Sequence, residues 1–98
     1  MKNIEIKEGD IIRFNDPYCK KNWLEKIFTK KENFEICSHH NQGRIKTSYS
    51  MKHNDIFKVV LHAHRHLLVI PITVSIPNEE FNVDYEYIEY FDICGSVH

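Results

Sequence analysis

Two neighbouring stretches decide the fold that this sequence predicts: IFKVVLHAHRHLLVIPITVSI at residues 56–76 and FNVDYEYIEYFDI at residues 81–93, separated by PNEE. Both are rich in β-branched and aromatic residues, which favour strands. With PNEE as the loop, they predict one long antiparallel hairpin in which Arg65 lies across from Asp92.

The register of this hairpin follows from the chemistry of its two faces. Ile72 opposite Tyr85 belongs to a face that is almost wholly apolar, whereas Thr73 opposite Asp84 belongs to a polar face. An antiparallel sheet with one packed and one solvated face needs this alternation. A slip by one residue would exchange the two faces and destroy both patterns.

The first stretch has one alternative, a helix over residues 55–69 that is capped by Asp55 and ends before Pro71. We prefer strand because Ile, Val and Phe dominate this stretch. The strand register also pairs Arg65 with Asp92, two opposite charges.

The stretch EGDIIRF at residues 8–14 predicts a glycine turn that leads into an apolar strand, with IEIK before it as a further strand. It resembles the opening of small SH3-like barrels, in which a Gly-Asp turn also leads into an apolar strand. The resemblance covers about seven residues and implies a small β-barrel.

Residues 17–30 predict a short helix. Asp16 can cap its start and Pro17 is tolerated at the first helical position. The spacing of four apolar residues places them on one side of a helix: Trp23, Leu24, Ile27 and Phe28. A strand, turn and strand over LEKIF, TKKEN and FEIC is the alternative.

Residues 34–37 and 44–51 predict further strands around a turn that contains Gly43. The expected fold class is therefore α+β or mostly β. We expect a small twisted antiparallel sheet or SH3-like barrel of five to six strands, with one short helix near residues 17–30. The length of 98 residues predicts a single small domain, residues 1–98.

Composition favours an ordinary folded protein, with 42% hydrophobic and 12% aromatic residues. The longest apolar run, residues 67–72, is far shorter than the roughly 20 residues that span a bilayer, and the N-terminus has no apolar signal segment. Three cysteines without paired spacing favour a reducing compartment. These features predict a cytoplasmic protein without a membrane partner.

The residue usage also suggests a source. Ile, Lys and Asn number 13, 10 and 8, whereas the chain has only 3 Arg and 3 Gly. An AT-rich coding sequence produces such usage, and small proteins of this kind are common in phages and mobile elements of AT-rich bacteria. Charge is uneven as well, because residues 67–98 contain six acidic residues and no lysine or arginine.

The histidines of HAHRH form the candidate metal site. On a strand, His62, His64 and His66 share one face, but the first and third are about 13 Å apart, too far for one ion. The predicted hairpin places Glu89 beside His66. His64, His66 and Glu89 then form a set of two histidines and one carboxylate, which can hold zinc or iron. The simpler interpretation is that these rings end the apolar face without metal.

Lysines near the predicted helix could contact phosphates, with aromatic rings among them for base stacking. The four lysines of this candidate surface are Lys20, Lys21, Lys30 and Lys31. A solvated helix face explains them equally simply. Nucleic-acid binding is therefore an alternative function.

The stretch DYEYIEYFD predicts an acidic, tyrosine-rich strand that suits a protein interface, because tyrosines anchor interfaces and carboxylates attract basic partners. In the predicted register Tyr85 and Tyr87 lie on the packed face and Tyr90 on the exposed face. The candidate partner-binding residues in this stretch are Tyr90, Glu86, Asp92 and Asp84. A charged edge strand that avoids pairing with other chains is the alternative.

No phosphate-binding glycine loop or nucleophile motif is present, so catalysis is the less favoured interpretation. We expect a small non-catalytic protein without a cofactor that acts by stoichiometric protein–protein interaction. Its expected origin makes an inhibitor of a host or defence factor the leading hypothesis. A metal-binding protein or metal-dependent enzyme that uses HAHRH, and a nucleic-acid-binding module, are the alternatives.

Overall fold

A computed structural model describes residues 5–19, 33–38, 47–74 and 79–96. Within these residues, seven strands form one antiparallel open sheet in the order β3-β2-β6-β5-β4-β1-β7. The strands are β1 (Asp10–Phe14), β2 (Glu35–Ser38), β3 (Ser48–Ser50), β4 (Ile56–His62), β5 (His66–Pro71), β6 (Phe81–Asp84) and β7 (Phe91–Ser96). A 3₁₀ helix, Tyr85–Tyr90, connects β6 to β7.

The mostly β, antiparallel architecture is confirmed, but the described residues form an open sheet of seven strands, whereas the sequence predicts a sheet or SH3-like barrel of five to six. The strand at residues 34–37 is found as β2, and β3 covers part of residues 44–51. Where the helix near residues 17–30 is predicted, residues 17–19 form a turn, and residues 20–30 lie outside the described residues.

The long hairpin is wrong in its register and extent. Residues 56–76 contain two strands, β4 and β5, which pair with each other across a turn. β5 does pair with β6, but the residue opposite Phe81 is Val69, whereas the predicted register places Ile76 there. β5 ends at Pro71, which has no N–H for a sheet ladder. Strand in place of helix over β4 and β5 is confirmed.

Asp92 pairs with a different arginine from the one expected. β7 lies beside β1 and not beside β5, so that Arg13 is opposite Asp92. The guanidinium Nη2 donates to the Asp92 carboxylate at 3.3 Å. Arg65, the predicted partner, lies exposed in the turn between β4 and β5.

Gly9 makes the predicted turn before β1. Its φ of 89° is in the left-handed region that glycine adopts without a steric penalty. Its N–H donates to Val59 O at 2.8 Å, and Asp10 N–H donates to Lys7 O at 3.0 Å. The turn therefore fixes the start of β1 against β4. Residues 5–7 form no strand.

Phe34 shows that the sheet curls strongly. β1 and β2 are four positions apart in the strand order, which corresponds to about 19 Å in a flat sheet. Yet the ring of Phe34, next to β2, lies 5.0 Å from the ring of Phe14 in β1. The concave face therefore encloses the core. Its fully buried side chains include Phe14, Phe57, Phe81, Phe91, Ile6, Ile12, Ile36 and Leu67.

Replacing Phe34 by Ala should lower the free energy of unfolding by about 3–5 kcal/mol, because the ring is 3% exposed and its loss leaves a cavity. Ile72→Ala is the control, since Ile72 is 53% exposed and the change should cost no more than about 0.5 kcal/mol. Urea unfolding measures both. Equal costs for the two variants would contradict the curled sheet.

Candidate functional site

Two of the three tyrosines of the acidic stretch, Tyr85 and Tyr90, do not lie where the strand prediction placed them, whereas Tyr87 packs against the core as predicted. Tyr85 is 41% exposed, whereas Tyr87 and Tyr90 are half-buried with their rings 5.6 and 5.4 Å from that of Phe34. The 3₁₀ helix explains the difference, because residues three apart lie on the same side of such a helix. The surface tyrosine is therefore Tyr85, and Tyr90 belongs to the packed side.

The acidic residues of the same stretch divide into two groups. Asp84 and Glu86 are exposed on either side of Tyr85 in the chain, and Glu89 is exposed near the end of the 3₁₀ helix. Asp92 is half-buried, and its Oδ2 accepts hydrogen bonds from Arg13 and from Asn15 Nδ2, the latter at 2.7 Å. Asp84 and Glu86 are the chain neighbours of the exposed Tyr85, whereas Glu89 lines a separate depression with Tyr90 and Asn15.

The lysine-rich candidate surface lies outside the described residues. This applies to Lys20, Lys21, Lys30 and Lys31. Nucleic-acid binding through them stays a prediction.

The histidine and glutamate set depended on a register that the sheet does not have. His66 lies opposite Asp84 in β6, and Glu89 belongs to the 3₁₀ helix that follows. His64 is exposed in the turn after β4. Among the described residues, which include all three, no group of three or more His, Cys, Asp or Glu side chains could hold a metal ion.

His62 and Tyr85 form a contact that the sequence did not reveal. The Nε2 atom of His62 hydrogen-bonds the Tyr85 hydroxyl, and the two rings meet edge to face at 5.5 Å. The Nδ1 atom of His62 lies 2.6 Å from Ile6 O, and the Tyr85 hydroxyl donates to Ala63 O at 3.0 Å. These bonds join the segment before β1, the end of β4 and the 3₁₀ helix.

A shallow depression surrounds this contact. Its lining residues are Ile6, Lys7, Glu8, His62, Ala63, His64 and Tyr85. The depression is open to solvent and mixes an aromatic ring, imidazoles and charges of both signs. Such a surface suits contact with another macromolecule more than enclosure of a small ligand, which needs a deep and mostly apolar pocket.

A second polar cluster centres on Asp55 at the turn before β4. The buried carboxylate accepts hydrogen bonds from the Tyr49 hydroxyl, from Lys52 N–H at 2.8 Å and from Thr73 Oγ1 at 3.5 Å. The pKa of Tyr49 is raised well above its usual range. The largest cause is burial, followed by the hydrogen bond to Asp55 and the negative charge of Asp55. The cluster ties β3 to the β4 turn and is structural.

The chain matches no protein-family model, and comparisons with curated proteins and with solved structures gave no match. In the part of the chain that the structure describes, no helix has the length and apolar character that crossing a membrane requires. What the molecule binds is therefore inferred from the site itself.

The Asp55 cluster predicts a loss of stability in alkali. A tyrosine whose pKa is raised on folding contributes stability that is complete below its unfolded pKa of about 10 and is lost as the pH rises further. The free energy of unfolding of the wild type should fall above about pH 10 more steeply than that of Tyr49→Phe. Chemical unfolding at several alkaline pH values measures this difference, and parallel pH curves would contradict it.

Proposed function

We propose that this protein is a non-catalytic binding protein that acts by stoichiometric association with another protein, through the surface around Tyr85. The observation that carries the proposal is the combination of exposure and restraint at this residue. The ring is 41% exposed, yet its hydroxyl is held by both His62 and Ala63.

An exposed aromatic ring held in one position is a favourable interface anchor. Tyrosines are enriched among the few residues that dominate binding energy. A side chain that is already ordered loses less conformational entropy when a partner covers it. Tyr85 meets both conditions, whereas the rings of Tyr87 and Tyr90 pack against Phe34.

The charges around Tyr85 favour a partner with basic groups at the rim of the contact. Asp84 and Glu86 flank Tyr85 in the chain and are both exposed. Within the described residues, a salt bridge joins Arg13 and Asp92, and neither Asp84 nor Glu86 forms one. Exposed carboxylates of this kind steer a basic partner towards the surface and affect association more than dissociation.

The residue usage suggests where to search first. A phage or mobile-element protein would meet its partner in the cytoplasm of the host, and a host or defence factor that it inhibits is the partner class that we favour. The composition supports this assignment, and Tyr85 supplies the surface on which it can be tested.

Tyr85→Ala should weaken binding of the partner by roughly ten- to thirtyfold, the loss expected for an interface anchor. The partner is recovered from host lysate on immobilised wild-type protein, identified by mass spectrometry, purified and measured by calorimetry. Ile93→Ala is the matched control, because Ile93 is 44% exposed on β7 and should bind as the wild type does. Equal affinity of Tyr85→Ala and wild type would overturn the assigned surface, and a protein that retains no specific partner would overturn the function.

Glu86→Lys tests the charge argument separately. The expected result is a slower association rate with a nearly unchanged dissociation rate, because rim charges act by steering. Surface plasmon resonance at low and high salt measures both rates. The difference from the wild type should shrink at high salt, where exposed charges are screened.

A further inference from the structure

Each hydrogen bond around His62 and Tyr85 needs one hydrogen from one of its two partners. Three contacts are made: His62 Nδ1 with Ile6 O, His62 Nε2 with the Tyr85 hydroxyl, and the Tyr85 hydroxyl with Ala63 O. Both backbone carbonyls can only accept, so each needs a hydrogen from the other side. Nδ1 must therefore supply one and the hydroxyl the other.

The middle contact then decides the protonation state. A tyrosine hydroxyl has one hydrogen, which is already directed at Ala63 O. The contact between the hydroxyl and Nε2 therefore needs its hydrogen from Nε2. Nδ1 and Nε2 both carry hydrogens only in the imidazolium form of histidine. All three bonds exist together only when His62 is protonated.

A neutral His62 must give up one of the three bonds. Its hydrogen stays on Nδ1 because Ile6 O cannot donate, and Nε2 becomes an acceptor. The Tyr85 hydroxyl then turns its hydrogen to Nε2 and leaves Ala63 O without it. The bond that is lost is the one that ties Tyr85 to the turn between β4 and β5.

Charged and titratable groups reach this site from every neighbouring segment. Lys7 and Glu8 precede β1 and line the depression, as does His64 from the turn after β4. Arg65 follows in the same turn, and His66 begins β5 opposite Asp84. Glu86 comes from the 3₁₀ helix. His64 and His66 are histidines as well and can also change protonation, so each requires its own control.

We propose that protonation of His62 is a pH switch that sets how firmly Tyr85 is held. The anchor is tied to Ala63 at a pH where the ring carries both hydrogens, and this tie is released as the pH rises and the ring becomes neutral. The consequence for partner binding rests on the proposed function, whereas the switch itself belongs to the free protein.

Nitrogen-15 NMR of the free protein tests the switch without any partner. Long-range proton–nitrogen spectra recorded over a pH series should show hydrogens on both ring nitrogens of His62 at low pH and on Nδ1 alone once the ring is neutral. The carbonyl carbon of Ala63 should shift with the same midpoint, because its hydrogen bond is the one released. An Ala63 carbonyl that ignores the titration of His62, or a neutral ring that carries its hydrogen on Nε2, would overturn the proposal.

Three variants show whether the response belongs to this contact. Tyr85→Phe keeps the ring and removes the hydroxyl, so the Ala63 carbonyl should no longer follow His62. His64→Gln and His66→Gln remove the two neighbouring titrations and should leave the response unchanged. If either variant abolishes the Ala63 response, the switch is wrongly assigned to His62.

Measuring partner affinity as a function of pH shows what the switch does to binding. Affinity of the wild type, His64→Gln and His66→Gln should fall roughly two- to tenfold as the pH rises through the His62 transition observed by NMR, the effect of one net hydrogen bond. His62→Gln should bind with little dependence on pH in this range. The binding function and the His62 switch can be rejected separately. A protein that shows the NMR response but binds no partner would overturn the proposed function alone. Partner binding without the NMR response sinks the switch alone.

Discussion

The contact between Phe34 and Phe14 is the constraint on which the rest of the molecule depends. It brings two strands together that stand four places apart in the sheet, and so it turns a flat array into a curved one with an interior. Phe34 also receives Tyr87 and Tyr90 on its ring. By holding one side of the 3₁₀ helix, the same ring leaves Tyr85 on the other side, facing solvent. The candidate interface is thus a by-product of how the core closes.

The sequence predicts those parts of the fold that are decided locally. A glycine before an apolar strand identifies β1, and short runs rich in β-branched and aromatic residues identify β2 and the strand character of β4 and β5, though not their division into two strands. Strand formation and the turn at Gly9 need little beyond neighbouring residues. Register is different. Alternating apolar residues fit several registers almost equally well, and the choice among them depends on where a strand stops and what it packs against. Pro71 and the 3₁₀ helix make that choice here.

The candidate site shows the same limit more sharply. The sequence identifies Asp92 as a carboxylate in need of an arginine, but the one that it meets comes from β1, 79 residues away along the chain. His62 is part of a visible histidine cluster, whereas its link to Tyr85 depends on the pairing of β4, β5 and β6, which places Asp84 opposite His66. On a strand, Tyr87 and Tyr90 would lie on opposite faces, whereas in the 3₁₀ helix they share the side that contacts Phe34.

The pairing of β1 with β7 has a consequence for the order of assembly. β1 contains Asp10–Phe14 and β7 contains Phe91–Ser96, so one flank of β1 stays open during synthesis until the ribosome has released almost the whole length described. Long-range pairings of this kind slow folding and leave apolar edges uncovered for longer. A nascent chain arrested before β7 would expose Ile12 and Phe14, which makes it a substrate for chaperones and a nucleus for aggregation. The abundance of the protein in a cell would then depend on how quickly β7 is synthesised and pairs with β1.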